Sequence, residues 1–168
     1  GLPIPAIRQL SASASCAMLA HGHGDALVTG ATRKSAHVME MINHVFDPDA
    51  QHGAVGVTAL LNKGRIVFIG DTLVHEWPEE EYLATIAEKA ASIARDLGIE
   101  PRVAFVSFST FGHPASERAE KMLKAPLVLD RRGVDFEYEG EMAVDVALNM
   151  DLMSHYPFSR LTAPANIL

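Results

Sequence analysis

The sequence predicts an α/β layered fold built around a mixed, mostly parallel sheet. Short apolar, β-branched runs alternate with longer stretches of helical periodicity, the pattern of strand–helix–strand units with right-handed crossovers. Val103–Phe108, apolar except for Ser107, reads as a strand covered on both faces. Two further apolar runs, Ala54–Leu61 and Arg65–Gly70, are separated only by Asn62, Lys63 and Gly64. Such a short gap ending in glycine suits a hairpin, which makes the sheet mixed.

The elements follow in order. Gly1–Pro5, with its two prolines, reads as an extended lead-in, and residues 1–10 as irregular. Ala6–Ala20 is Ala- and Leu-rich and predicts a helix, ended at the glycines of His21–Gly24. Asp25–Thr29 reads as a short strand turned by Gly30. Ala31–Phe46 is a helix with Val38, Met41, Ile42 and Val45 on one face, stopped at Asp47–Asp49. Pro78 opens the clearest helix, Pro78–Leu97, with Glu79, Glu80 and Glu81 at its positive end and Leu83, Ile86, Ala90, Ile93 and Leu97 on one stripe. A helix from Pro114 to about Lys124, a strand Val134–Tyr138 and a helix Glu141–Asn149 complete the series. Asn166, Ile167 and Leu168 read as the start of another apolar strand.

Composition bounds the function. The 168 residues carry 14 Lys plus Arg against 21 Asp plus Glu, a formal charge of −7. That balance disfavours general nucleic-acid binding or an anionic membrane surface. The single cysteine, Cys16, excludes an internal disulfide and favours a reducing, cytoplasmic setting. No apolar run approaches the roughly 18 residues of a membrane span, and no signal peptide is evident. The length fits one domain, here a single piece spanning 1–168 and read as a fragment of a longer polypeptide.

The candidate chemistry sits at three strand-to-helix corners. The first holds Thr29, Gly30, Thr32 and Arg33. The second holds Ser107, Ser109, Thr110 and Gly112. The third is the turn at Gly140 and Glu141. If their strands are parallel, all three corners share the carboxyl edge of one sheet, where open α/β sheets place ligands. Hydroxyls, glycines and free backbone N–H groups at a helix start suit a phosphate or carboxylate. The alternative reading is that Thr29, Thr32 and Ser109 only cap helices and satisfy turns. Glu141 and Asp145, four apart, are expected on one helix face, paired with Arg33 or Arg160 or accepting from a ligand. His21 and His23 with Asp25 lack zinc-site geometry, so no metal site is assigned. Neither a phosphate-cradling P-loop nor a nucleophile-elbow serine is present, and no catalytic residue is assigned.

The segments 25–32, 68–72, 106–112, 138–145 and 164–167 occur in an order that resembles the phosphate acetyltransferase/butyryltransferase family. The resemblance runs from about Ser15 to Leu168. Thr32-Arg33, Ala143–Ala147 and Tyr156–Leu161 are most similar to the C-terminal phosphotransacetylase-like domain of bacterial hybrid NADP-dependent malic enzymes. It implies a three-layer α/β/α fold of the isocitrate/isopropylmalate dehydrogenase-like type. It also implies an acyl-CoA or acyl-phosphate ligand held by Thr29, Gly30, Thr32, Arg33, Ser107, Ser109, Thr110, Gly112, Glu141, Asp145 and Arg160.

The chain departs from the active members in two ways. It has Glu40 and Phe111 where they carry an arginine and a lysine. Losing two charged hydrogen bonds of about 1.5–3 kcal/mol each weakens phosphate binding by about two to four orders of magnitude. The resemblance therefore implies a regulatory and oligomerisation domain, at least a dimer, that senses acetyl-CoA or CoA. Its fused malic domain, with NADP and a divalent metal, would decarboxylate malate oxidatively. The alternative is an active phosphate acetyltransferase moving an acetyl group between acetyl phosphate and CoA.

Overall fold

The computed structural model describes residues 12–30, 34–46, 54–72, 74–114 and 117–168. The chain divides into two compact units, residues 1–53 and 54–168.

In the first unit, helix α1 spans Ala12–Ala20 and α2 spans Ser35–Val45. Gly22, at φ 74°, ends α1 in a Schellman motif: the His23 N–H donates to the Met18 carbonyl at 2.9 Å and the Gly22 N–H to that of Leu19 at 3.0 Å. The strand expected over 25–29 does not form. Those residues are irregular and Val28 is 98% exposed. A strand exists through its ladder, and no described strand pairs with this one.

The second unit is a mixed sheet with helices on both faces. β1 (Val57–Asn62) pairs antiparallel with β2 (Arg65–Gly70). Asn62 faces Arg65, so the connection is a two-residue turn, one shorter than the sequence suggested. Lys63 and Gly64 both have positive φ, 48° and 78°, which matches the right-handed twist of the hairpin. β3 (Arg102–Val106) runs parallel to β4 (Glu137–Met142). Residues 166–168 join the two ladders, with Ile167 bridging in parallel to both Phe68 and Val103. The strand expected from Asn166 onward therefore lies in the middle of the sheet.

The alternation along β3 divides the core. Val103 and Phe105 face α3 (Glu80–Asp96) and α4 (Glu117–Arg132), with Phe68, Leu129 and Ile167 buried beside them. Ala104 faces the other way, onto Met142, Ala147, Met153 and Leu161, beneath the short helices α5 (Val144–Leu148) and α6 (Met150–Met153). Each large side chain removed from water contributes about 1.5–3 kcal/mol. Helix α4 extends well beyond Lys124 even though Pro126 lies inside it. Val128 and Leu129, at 1% and 0% exposure, reward continuation more than the proline penalises it. Helix α3 ends at Gly98, φ 73°, in a second Schellman motif, with the Ile99 N–H on the Ala94 carbonyl at 2.9 Å.

Candidate functional site: a serine corner closed on Glu141

The second and third corners meet. Because β3 and β4 are parallel neighbours, their carboxyl ends lie side by side, and the Ser107 N–H continues the ladder onto the Met142 carbonyl at 3.0 Å. The register then slips. Phe105 faces Gly140 and Val106 faces Met142, so Glu141 is the extra residue of a bulge. Gly140, φ 148°, makes the bulge possible, since a Cβ there would stand 2.7 Å from the Phe105 carbonyl oxygen.

The bulge aims Glu141 at the loop after β3. The side chain is fully buried at 0% exposure. Its Oε2 accepts from the hydroxyls of Ser107 at 2.5 Å and Ser109 at 2.7 Å, and its Oε1 accepts from the Gly112 N–H at 2.8 Å. The Glu141 carbonyl takes the Phe111 N–H at 2.8 Å. Phe111 and Gly112, both with positive φ, wrap the loop around the carboxylate. Remaining groups of the loop bond internally. The Ser109 N–H donates to Ser107 Oγ at 3.0 Å, the Thr110 N–H to the His113 carbonyl at 3.0 Å, and the His113 N–H to the Thr110 carbonyl at 3.2 Å. Thr110 Oγ1 accepts the Ala143 N–H at 3.0 Å.

This arrangement corrects several expectations. Glu141 lies on β4 and not on a helix, because the bulge extends the strand through Met142, so it shares no helix face with Asp145. Asp145 is exposed and, among the described residues, accepts the N–H of its neighbour Val146 at 2.9 Å. Arg160 does not pair with Glu141. Its guanidinium reaches Asp130 at 2.7 Å and Glu139 at 3.4 Å, and lies 4.6 Å from the centre of the Tyr138 ring. The Tyr138 hydroxyl, at 2.6 Å, and then Arg160 hold the Asp130 carboxyl below its ordinary range. Arg160 thus clasps α4, β4 and the segment before residue 161. The backbone N–H groups at 109–113, expected to be free for an anion, are bonded within the loop or to Glu141. Of the first corner, Thr29 and Gly30 are exposed in the first unit, while Thr32 and Arg33 lie outside the described residues.

An aromatic wall flanks the corner, and sequence reading missed it. The Phe111 ring packs 5.2 Å from Tyr156 and 4.7 Å from Phe158 between centroids. Phe158 and Phe108 are each 63% exposed. The only available signal was the cluster Tyr156-Pro157-Phe158, whose sequence distance from Phe111 conceals the contact. Elsewhere, Asp71 at the end of β2 binds His75 Nδ1 at 2.6 Å and the Val74 N–H at 2.9 Å, which fixes the turn into α3. No helix among the described residues is long and apolar enough to cross a membrane.

The α/β fold that carries this corner is similar to that of phosphotransacetylases. The EutD phosphotransacetylase from Staphylococcus aureus superposes with a TM-score of 0.76 at 22% identity, covering 93% of this chain and 49% of that one. A phosphotransacetylase from Streptococcus pyogenes gives 0.76 at 23% identity, covering 89% and 47%. Residues 6–168 match the family model of the phosphate acetyl/butaryl transferases, and the chain belongs to that family.

Within the family, it is 49% identical over 154 residues to the NADP-dependent malic enzyme of Rhizobium meliloti, covering 92% of this chain and 20% of that protein. Against the phosphate acetyltransferase of Nitratidesulfovibrio vulgaris, identity is 31% over 137 residues, covering 80% and 20%. The chain thus spans about a fifth of the length of these relatives.

Proposed function

We propose that this chain is a regulatory and assembly domain of an NADP-dependent malic enzyme, binding acetyl-CoA or CoA as an effector without transferring the acyl group. The observation that carries this reading is the condition of the serine corner. Acyl transfer from acetyl phosphate needs donors or cations to hold the departing phosphate. Here the loop's N–H groups at 109–113 and both serine hydroxyls are directed to protein acceptors, and Glu141 adds an anion. Phe111 contributes a ring to the same loop instead of a cation.

On this reading the oxidative decarboxylation of malate to pyruvate belongs to a fused malic domain. That domain would hold NADP and a divalent metal, and no catalytic residue comes from this chain. The higher identity to the malic enzyme supports that parentage. Helices on both faces of the sheet support the α/β/α layering of the isocitrate/isopropylmalate dehydrogenase type. At least a dimer, in the cytoplasm, completes the proposal.

The test is malate-dependent NADP reduction by the intact protein, titrated with acetyl-CoA. A saturable change in rate is expected, and no change up to millimolar effector overturns the reading. Arsenate-dependent loss of acetyl-CoA is expected to be absent; its presence would install the transferase in place of the sensor.

A further inference from the structure

We propose that the groove between Arg65 and Arg102, at the amino edge of the sheet, is a binding site for a phosphate dianion, free or carried as a small monoester. It lies at the opposite end of β3 from the serine corner and is independent of the effector reading.

The sheet brings the two arginines together. Residues 166–168 run between β2 and β3, and Ile167 is level with both Phe68 and Val103. Phe68 and Val103 face the core under α3 and α4. Arg65 is three residues from Phe68 and Arg102 one from Val103, so alternation puts both arginines on the other face. Two strand spacings separate them by about 10 Å across the sheet, and a two-residue offset by about 7 Å along it. They line one groove of about 290 Å³ with Ile66, Pro164, Ala165 and Asn166.

Arg102 is pre-organised. Its N–H donates to Asn166 Oδ1 at 2.8 Å, and its carbonyl accepts the Asn166 and Ile167 N–H groups at 3.0 Å. Its Nε donates to the Pro164 carbonyl at 2.9 Å, which leaves both Nη groups for the groove. Asn166 is buried and is pinned in turn by the Glu100 carbonyl, which accepts its Nδ2 at 2.7 Å. Arg65 follows the two-residue turn of the hairpin, which fixes its backbone, and Lys63 in that turn adds a third positive charge.

The charge at this edge is not neutralised from within. Arg95, Arg131, Arg132 and Arg160 all reach carboxylates. Among the described residues, Arg65 and Arg102 form no ion pair, in a chain of formal charge −7. The Glu137 carboxylate lies within the field of Arg102 but holds the Thr162 N–H and hydroxyl, at 2.9 and 2.6 Å. One guanidinium fork occupies both oxygens of a carboxylate. A phosphate dianion has three acceptor oxygens, so it takes donors from both arginines at once and matches their two charges.

The experiment is isothermal titration of the intact protein at low salt, with inorganic phosphate and phenyl phosphate as separate probes. Saturable binding of at least one is expected at millimolar concentration, weakening as added salt screens the charges. Arg65→Gln alters an exposed side chain, so the variant is expected to fold with an unchanged Tm and to bind about tenfold more weakly or worse. Arg65→Lys keeps the charge but loses the fork, and should recover binding only in part. Tighter binding of phenyl phosphate assigns a monoester to the groove, and tighter binding of inorganic phosphate the free ion; either result supports the site. No binding of either probe at millimolar concentration overturns the inference, as does a folded Arg65→Gln variant that binds normally. If Arg65→Gln fails to fold, Arg65→Lys decides, and unweakened binding by it overturns the inference.

Discussion

Replacing Gly140 by alanine tests how Glu141 is delivered to the corner. The new Cβ would stand 2.7 Å from the Phe105 carbonyl oxygen, 2.8 Å from the Phe105 Cβ and 3.1 Å from its N. Backbone of β3 cannot rotate aside as the end of a flexible side chain would. A φ of 148° is also one that residues with a Cβ rarely adopt. Backbone strain of about 1–3 kcal/mol and overpacking of about 1–3 kcal/mol give an expected loss of about 2–6 kcal/mol. That is a large share of the 5–15 kcal/mol or so that holds a domain together. Trp77, the single tryptophan, lies in the 54–168 unit, so its fluorescence during urea unfolding reports this unit. With a slope of about 1–3 kcal/mol per molar, the midpoint should fall by about 0.7 M or more. A loss under about 0.5 kcal/mol would refute the claim that close β3–β4 approach requires this glycine.

Gly112→Ala meets no atom within 4 Å and carries only the strain of φ 88°, so urea unfolding should show a milder loss of about 1–2 kcal/mol. Leu129→Ala, at a position with 0% exposure, should cost about 2–5 kcal/mol in the same assay. Asp130→Asn breaks the contacts to Tyr138 and Arg160, and on this half-exposed surface should cost about 0.5–1 kcal/mol at pH 7. The folded protein holds the Asp130 carboxyl below its unfolded range, so its stabilisation is present above the unfolded value of about 3.9 and fades as pH falls further. The gap between protein and variant should therefore stay constant from pH 7 to about 5 and close below about pH 4; a gap closing near neutrality would contradict the assignment.

Much of the fold was legible because local and tertiary preferences agree. The Glu-rich start of α3, the hairpin and the apolar core of β3 follow their local signals, although Ile93 and Leu97 of the expected α3 stripe and Phe108 of the expected strand are exposed, and β3 ends at Val106. Where the structure differs, packing or pairing outweighs local signals. The helix expected from Pro114 to about Lys124 instead runs from Glu117 to Arg132, where burial of Val128 and Leu129 carries it through Pro126. Residues 25–29 have strand composition but no described partner strand.

Ser107, Ser109, Gly112 and Glu141 are ligand candidates by sequence, and the structure brings the four together in a relation that sequence did not indicate. A free serine corner and an acidic helix face were expected, and the structure joins them into one closed network. Gly140 inside a strand was the available sign of a bulge, and hydrogen-bond direction is not encoded in spacing. Arg160, a cation near a phosphate-like motif, is bound instead to Glu139 and Asp130, whose proximity arises from tertiary structure alone.

A crystal structure of the intact protein with acetyl-CoA bound measures most directly what this corner holds. Acetyl-CoA bound while Glu141 still holds the Ser107 and Ser109 hydroxyls and the Gly112 N–H is the predicted result. A phosphate oxygen seated on Ser109 and the Gly112 N–H, with Glu141 turned away, would contradict it.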